Sequence, residues 1–285
     1  FAINPVNVES VARIAQRKNL AALLFFLGAT WCFLRAELLD GSSGKRLWPT
    51  GRGHWYWLSL ALFVLAVLGK GSAVILPPVL ALLIWWRRPV GLWDALRLVP
   101  FFVTAGVLTF VNIWFQFHGA DHYNVRDDSL LERTLGAAAA VWFYLSKALL
   151  PQGLMFVYPR WNIQAGQVAW WRPLLAAVAT TAVLWRYRDR ASRGVLVGWG
   201  FFCIALLPVM GFANIFFMRY SLVADHYQHI ALLGVVAVVG AGWAVWREKL
   251  YGSGRLVPDT LATLGVVALA AVTFHETIFY RDSTT

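Results

Sequence analysis

The chain has 285 residues, of which 59% are hydrophobic and 14% charged, against roughly 25% charged in an average soluble domain. Burying most of these apolar runs would demand one core larger than a chain of this length can wrap in polar surface, which excludes a soluble globular domain. The net charge of +11 sits in short connections between apolar runs, the pattern of the positive-inside bias, and this excludes nucleic acid as the partner.

Apolar windows at 19–36, 55–69, 72–86, 98–117, 171–185, 195–209, 229–245 and 256–274 approach the about 17–25 residues that cross a hydrocarbon core. They predict an all-α polytopic membrane bundle embedded in the lipid bilayer, spanning 1–279 with about eight crossings. Many of the 16 tryptophans fall at window ends, where amphipathic rings settle at headgroup level. Cys32 and Cys203 lie inside separate windows as packing residues, and no disulfide framework or metal-ligand spacing is present. The chain opens at Phe1 on loop-like residues with no secretory signal, so it reads as an internal piece of a longer protein, incomplete at both ends.

In chain order, "NPVNVESVARIAQRKNL" begins with Asn4 as a cap and Pro5 in a first helical turn. Helical spacing places Glu9, Arg13 and Arg17 on one face, where they can form an ion-pair ladder. Arg17 and Lys18, at the start of the first complete window, can instead hold a phosphate at headgroup level. The connections carrying Arg35, Lys45, Arg46 and Arg52, then Arg87, Arg88 and Arg97, then Arg186, Arg188, Arg190 and Arg193, and finally Arg247, Lys249 and Arg255, read as basic-only cytoplasmic loops.

Parity then makes residues 118–170 one external segment, a cap containing Tyr158, Pro159 and Arg160. The apolar stretch at 135–150, which holds Ser146 and Lys147, becomes a helix lying in the interface or dipping in and back. Lys70, flanked by glycines in "LGKGSAVILPP", either snorkels or offers an ammonium and backbone N–H groups to an anion, without the spacing of a Walker loop. Asp121 and His122 read as a solvated loop.

The stretch "GFANIFFMRYSLVADHYQHIALLG" has the strongest signal. Arg219 and Asp225 sit near the hydrocarbon boundary, where unpaired charge is costly. Arg219 suits a lipid-linked phosphate, Asp225 can orient Arg219 or a sugar hydroxyl, Tyr227 can stack on a sugar ring, and His226 and His229 lie beside them. A plain Arg–Asp pair closing a helix turn is the competing reading. A separation of six residues would turn Arg219 and Asp225 to different faces of an unbroken helix, so a break near 221–224 is expected.

Five stretches in this order, "NPVNVESVARIAQRKNLAALLFFL", "LGKGSAVILPPVLALLIWW", "FYLSKALLPQGLMFVYPRW", "FMRYSLVADHYQHIALLG" and "ETIFYRDSTT", resemble the membrane portion of tetratricopeptide-repeat-containing membrane glycosyltransferases. These include the eukaryotic O-mannosyltransferases of that type, in the GT-C class. The resemblance implies a GT-C-like helical bundle that moves a sugar from a polyprenyl-phosphate carrier to a protein or other acceptor. It implies an external active face, periplasmic for a bacterial inner-membrane protein. Repeats would begin at 280–285, and the catalytic acid would lie before Phe1, leaving this piece inactive alone. Arg219, Lys70, Arg17 and Lys18 are then the candidates for the carrier phosphate. Asp225, His226, Tyr227, Glu9 and Tyr158 are those for the sugar and acceptor pocket. Asn4-Pro5 stands where the family often has His-Pro. Two other readings use the same groups without chemistry: a transporter or flippase for a lipid-linked anion, and a non-catalytic subunit of a larger membrane complex.

Overall fold

A computed structural model describes residues 1–12, 16–39, 53–119, 128–155, 157–188, 193–212 and 216–278. Among the described residues there are ten α-helices and no strand. The chain divides into two compact units, Phe1–Gln16 with Asp128–Thr285, and Arg17–Asp127.

In the unit Arg17–Asp127, helices α2 (Arg17–Leu39) and α3 (Gly53–Gly69) form an antiparallel hairpin. The Ser59 hydroxyl donates to the Ala29 carbonyl at 2.7 Å, and Gly69 lies directly on Ala22. A short 3-10 turn, Gly71–Ile75, leads into α4 (Leu76–Arg87), whose Pro77 and Pro78 occupy the first helical turn, where their missing N–H groups have no intrahelical role. Phe101 of α5 (Leu92–Gly119) is fully buried and meets the edges of Phe33 and Tyr56. At one end of this unit Arg88 pairs with Asp94 (2.6 Å) and Glu37, and Arg97 pairs with Glu37 at 3.3 Å. The connection read as purely basic is therefore partly neutralised. Its carboxylates come from inside helices α2 and α5, which a count over loops alone overlooks.

The other unit contains α1 (Val8–Ala12), α6 (Leu130–Leu149), α7 (Val168–Arg186), α8 (Arg193–Leu206), α9 (Leu232–Glu248) and α10 (Leu256–Ile278). A capping box starts α6: the Ser129 hydroxyl accepts from the Glu132 N–H, and the Glu132 carboxylate accepts from the Ser129 N–H at 2.9 Å. After α6 the chain runs back beside it. The Lys147 ammonium donates to the Gln152 and Gly153 carbonyls, Phe143 packs on Tyr158 and Trp161, and Ile163 lies against Gly136. The Trp142 indole N–H then reaches the Pro173 carbonyl at 2.9 Å. Helix α7 thus starts beside the first half of α6, and α6 with its return segment makes no net advance along the helix axis. Helices α8 and α9 cross where Gly198 meets Gly234, a backbone approach that only small residues permit.

Four helical segments are long and apolar enough to cross a membrane: Arg17–Glu37, Leu92–Phe115, Val168–Arg186 and Leu256–Thr277. The eight windows of the sequence all fall on helical segments, but Gly53–Gly69, Gly71–Arg87 and Arg193–Val209 are shorter apolar helices and α9 has 17 residues. The windows thus differ in length, four reaching the span of a bilayer core and the others falling short of it. The chain is an all-helical protein with four segments of membrane-spanning character.

Candidate functional site

The pocket candidates Asp225, His226, Tyr227, Glu9 and Tyr158 collect on one turn. Asp225–Tyr227 forms a 3-10 turn between an extended residue, Ala224 (φ −151°, ψ 143°), and α9. Three chain segments converge on it. From the return segment, the Tyr158 hydroxyl donates to the Asp225 carboxylate at 2.9 Å, and the Met155 N–H donates to it at 3.0 Å. From α6, the Tyr144 hydroxyl accepts from the Ala224 N–H at 3.1 Å. From the N-terminal segment, the Glu9 carboxylate lies 3.1 Å from His226 Nδ1.

The N-terminal segment is itself anchored. Asn4 caps the 3-10 turn Pro5–Asn7 by accepting from the Val6 N–H, and its amide donates to the Ala148 carbonyl at 3.3 Å. The Thr273 hydroxyl of α10 donates to the Ile3 carbonyl. Glu9 therefore does not head a ladder toward Arg17. Helix α1 ends at Ala12 and α2 starts at Arg17, and Arg13 falls outside the described residues. The partner of Glu9 is His226, 217 positions away.

Burial sets the electrostatics. Asp225 is 4% exposed. Desolvation pushes its carboxyl up to about 7, the Glu9 charge adds to the rise, and the bonds from Tyr158 and Met155 oppose it. Burial and the nearby Asp225 charge lift the Tyr158 hydroxyl above the usual phenol range, and burial with Glu9 does the same for Tyr227. Such a carboxyl changes protonation near neutrality, which an exposed aspartate does not. Gln228, one residue beyond the turn, is fully buried, and neither amide atom has a hydrogen-bond partner among the described residues.

The expected break between Arg219 and Asp225 is present. Arg219 ends a separate 3-10 turn, Phe216–Arg219, and the intervening residues leave helical geometry. The two side chains are placed differently from each other: Arg219 is exposed, whereas both Asp225 oxygens are bonded inside the unit. Asp225 thus fixes the turn through Tyr158 and Met155. Phe217 joins the two turns, its ring 5.9 Å from His226 and 5.8 Å from Tyr227.

Arg17, Lys18 and Lys70 belong to the unit Arg17–Asp127. Arg17 and Lys18 are exposed at the start of α2, and Lys70 is half-buried before the turn Gly71–Ile75. The glycines around Lys70 have a steric reason: Gly69 rests on Ala22, and a Cβ at Gly71 would meet the Asn112 amide at 2.6 Å. Asp121 and His122 fall outside the described residues. Among the described residues no three His, Cys, Asp or Glu side chains gather as a metal site.

Sequence reasoning missed Tyr144 and Lys147. An aromatic and a lysine within an apolar helix carry no local sign of the segment that folds back onto them. Compared with protein families, characterised proteins and solved structures, the chain matches none.

Proposed function

We propose that this chain is the membrane portion of a GT-C-like glycosyltransferase that moves a sugar from a polyprenyl-phosphate carrier to a protein or other acceptor. The active face is external, periplasmic in a bacterial inner membrane. The observation that carries this reading is the turn Asp225–Tyr227, locked by Tyr158 and Glu9 and joined to the turn of the exposed Arg219 through Phe217. In the reaction an acceptor oxygen bonds to the anomeric carbon, the carbon–oxygen bond to the carrier phosphate breaks, and the phosphate leaves with the electron pair. The acceptor proton passes to a carboxylate.

Arg219 supplies charge to the departing phosphate, and Tyr227, half-buried beside Phe217, offers a ring face for the sugar. Asp225 serves as a positioning residue.

A second reading draws on the Asp225 carboxyl held near neutrality beside the Glu9–His226 pair: proton-coupled movement of a lipid-linked anion through the same site, since intramembrane carboxylates and histidines serve as proton relays. The deciding experiment uses the full-length protein in proteoliposomes with a polyprenyl-phosphate sugar donor. Sugar transfer that is abolished in Arg219→Ala and partly restored in Arg219→Lys, which keeps charge but not the two-pronged contact, supports the transferase. Wild-type rates in Arg219→Ala overturn the role of Arg219. Movement of the donor across the bilayer without transfer assigns the site to transport.

A further inference from the structure

A groove of about 1130 Å³ runs between α7 and α8, away from the turn Asp225–Tyr227. This exceeds the roughly 300–1,000 Å³ of small-molecule sites and suits an extended, flexible occupant. Its walls are apolar: Ala177, Val178 and Ala182 come from α7, and Cys203 comes from α8. The polar atoms that could wet it are consumed internally, because the Trp199 indole N–H donates to the Thr181 hydroxyl at 2.9 Å. Trp142 packs 5.8 Å from Trp199 and stiffens that wall.

The groove ends in cations. Arg186 and Arg188 line it beside Trp185 and Tyr187. The Arg188 guanidinium stands 4.3 Å over the Trp185 ring and donates to the Trp185 carbonyl, and Arg186 lies 5.9 Å from the Tyr187 ring. Neither has a carboxylate partner among the described residues. Held against ring faces, both keep N–H donors for an anion.

The 19 residues of α7 measure about 28 Å at 1.5 Å each, close to the roughly 30 Å hydrocarbon core. Arg186, its last residue, then falls at headgroup level, as the adjacent Trp and Tyr also mark. None of the residues of this span is buried by the protein itself.

We infer that this groove holds one anionic phospholipid of the surrounding bilayer. Arg186 and Arg188 bind the phosphate, and one acyl chain lies along Ala177–Ala182 toward Cys203. Basic pockets between membrane helices recognise anionic headgroups in this way. A partner protein helix would leave both guanidiniums unmatched unless it brought its own carboxylates.

Native mass spectrometry of the detergent-purified protein tests this, with phosphatidylglycerol and phosphatidylcholine of identical chains as probes. The wild type should retain phosphatidylglycerol at least fivefold over phosphatidylcholine, and Arg186→Gln/Arg188→Gln should bring the two to parity. Ala182→Phe, at an exposed position with both arginines intact, should lower phosphatidylglycerol retention by filling the groove. Diffuse charge attraction would leave that variant unchanged. Equal retention of both lipids by the wild type, or undiminished selectivity in the double variant, overturns the inference. So does displacement of phosphatidylglycerol by an equal concentration of polyprenyl phosphate, which makes the groove a carrier site. A lipid-free dimer lost on Ala182→Phe assigns it instead to a second copy of this chain.

Discussion

The hydroxyl of Tyr158 and the carboxylate of Asp225, 67 positions apart, are joined at 2.9 Å inside the protein. This bond ties the segment that folds back along α6 to the turn that precedes α9, so both sides of the candidate site move together. Its strength depends on the charge of Asp225, because an ionised carboxylate is the better acceptor while burial favours the neutral form.

Stability should accordingly depend on pH through Asp225. Its folded value, about 7, lies above the ordinary 3.8, so the folded state binds the proton more tightly than the unfolded chain. Stability from this group is full below about pH 4, declines as pH rises toward 7, and is level above. Asp225→Asn keeps an oxygen for Tyr158 and Met155 and never ionises. It should raise the melting temperature at pH 8 and change it little at pH 4, the difference being bounded by about 4 kcal/mol. Thermal melts of purified protein across this range check it, and a stabilisation confined to low pH would contradict the assignment.

Removing Arg88 should be costly. Asp94 is 1% exposed and takes two bonds from the Arg88 guanidinium. Arg88→Ala leaves a buried carboxylate without its main partner, a loss of about 3–5 kcal/mol. Arg88→Ala/Asp94→Ala should recover part of it, and a double-mutant cycle by denaturant titration measures the coupling.

The crossing of α8 and α9 predicts unequal costs for two glycines. A Cβ at Gly234 would meet the backbone oxygen of Gly198 at 2.8 Å, whereas one at Gly198 presses first on the Val238 side chain. A side chain can rotate away and a helix backbone cannot. Gly234→Ala should therefore destabilise by about 1–3 kcal/mol, in the range of overpacked cores, and more than Gly198→Ala. Melting temperatures of the two variants decide the order.

Ser129 and Gln164 should be reached from the same side of the membrane. Both are exposed, and the Ala165 backbone lies within hydrogen-bonding range of Glu132. Single cysteines at the two positions, with Cys32 and Cys203 replaced, should react with an impermeant maleimide added to one face of sealed vesicles. Labelling from opposite faces would mean that α6 crosses on its own.

The helices were legible because apolar runs declare themselves by length, and each of the eight windows falls on helical structure. Charge parity pointed only to a helix at 135–150 that does not cross by itself, and the segment that runs back beside α6 left no local sign in the sequence. The Ser129 and Glu132 capping pair that starts α6 was overlooked, although its three-residue spacing is a local signal. The link between Glu9 and His226 was not legible, since nothing within either neighbourhood refers to the other across 217 positions. Reading charge loop by loop also concealed Glu37 and Asp94, which neutralise arginines from within apolar helices.

The backbone between α6 and α7 has a consequence for the solvent around it. The described residues of this stretch, 151–155 and 157–167, form neither helix nor strand, and the Met155 N–H is satisfied by turning inward to the Asp225 carboxylate and the Tyr158 hydroxyl. Acyl chains offer no hydrogen bonds, so peptide groups on such a path must be covered by protein or reached by water. Gln152, Arg160 and Gln164 are exposed along it. Hydrocarbon therefore cannot seal against this flank of α6. In the membrane setting proposed above, this flank is a wet notch at the edge of the bilayer, open sideways to a polar headgroup on a long lipid tail.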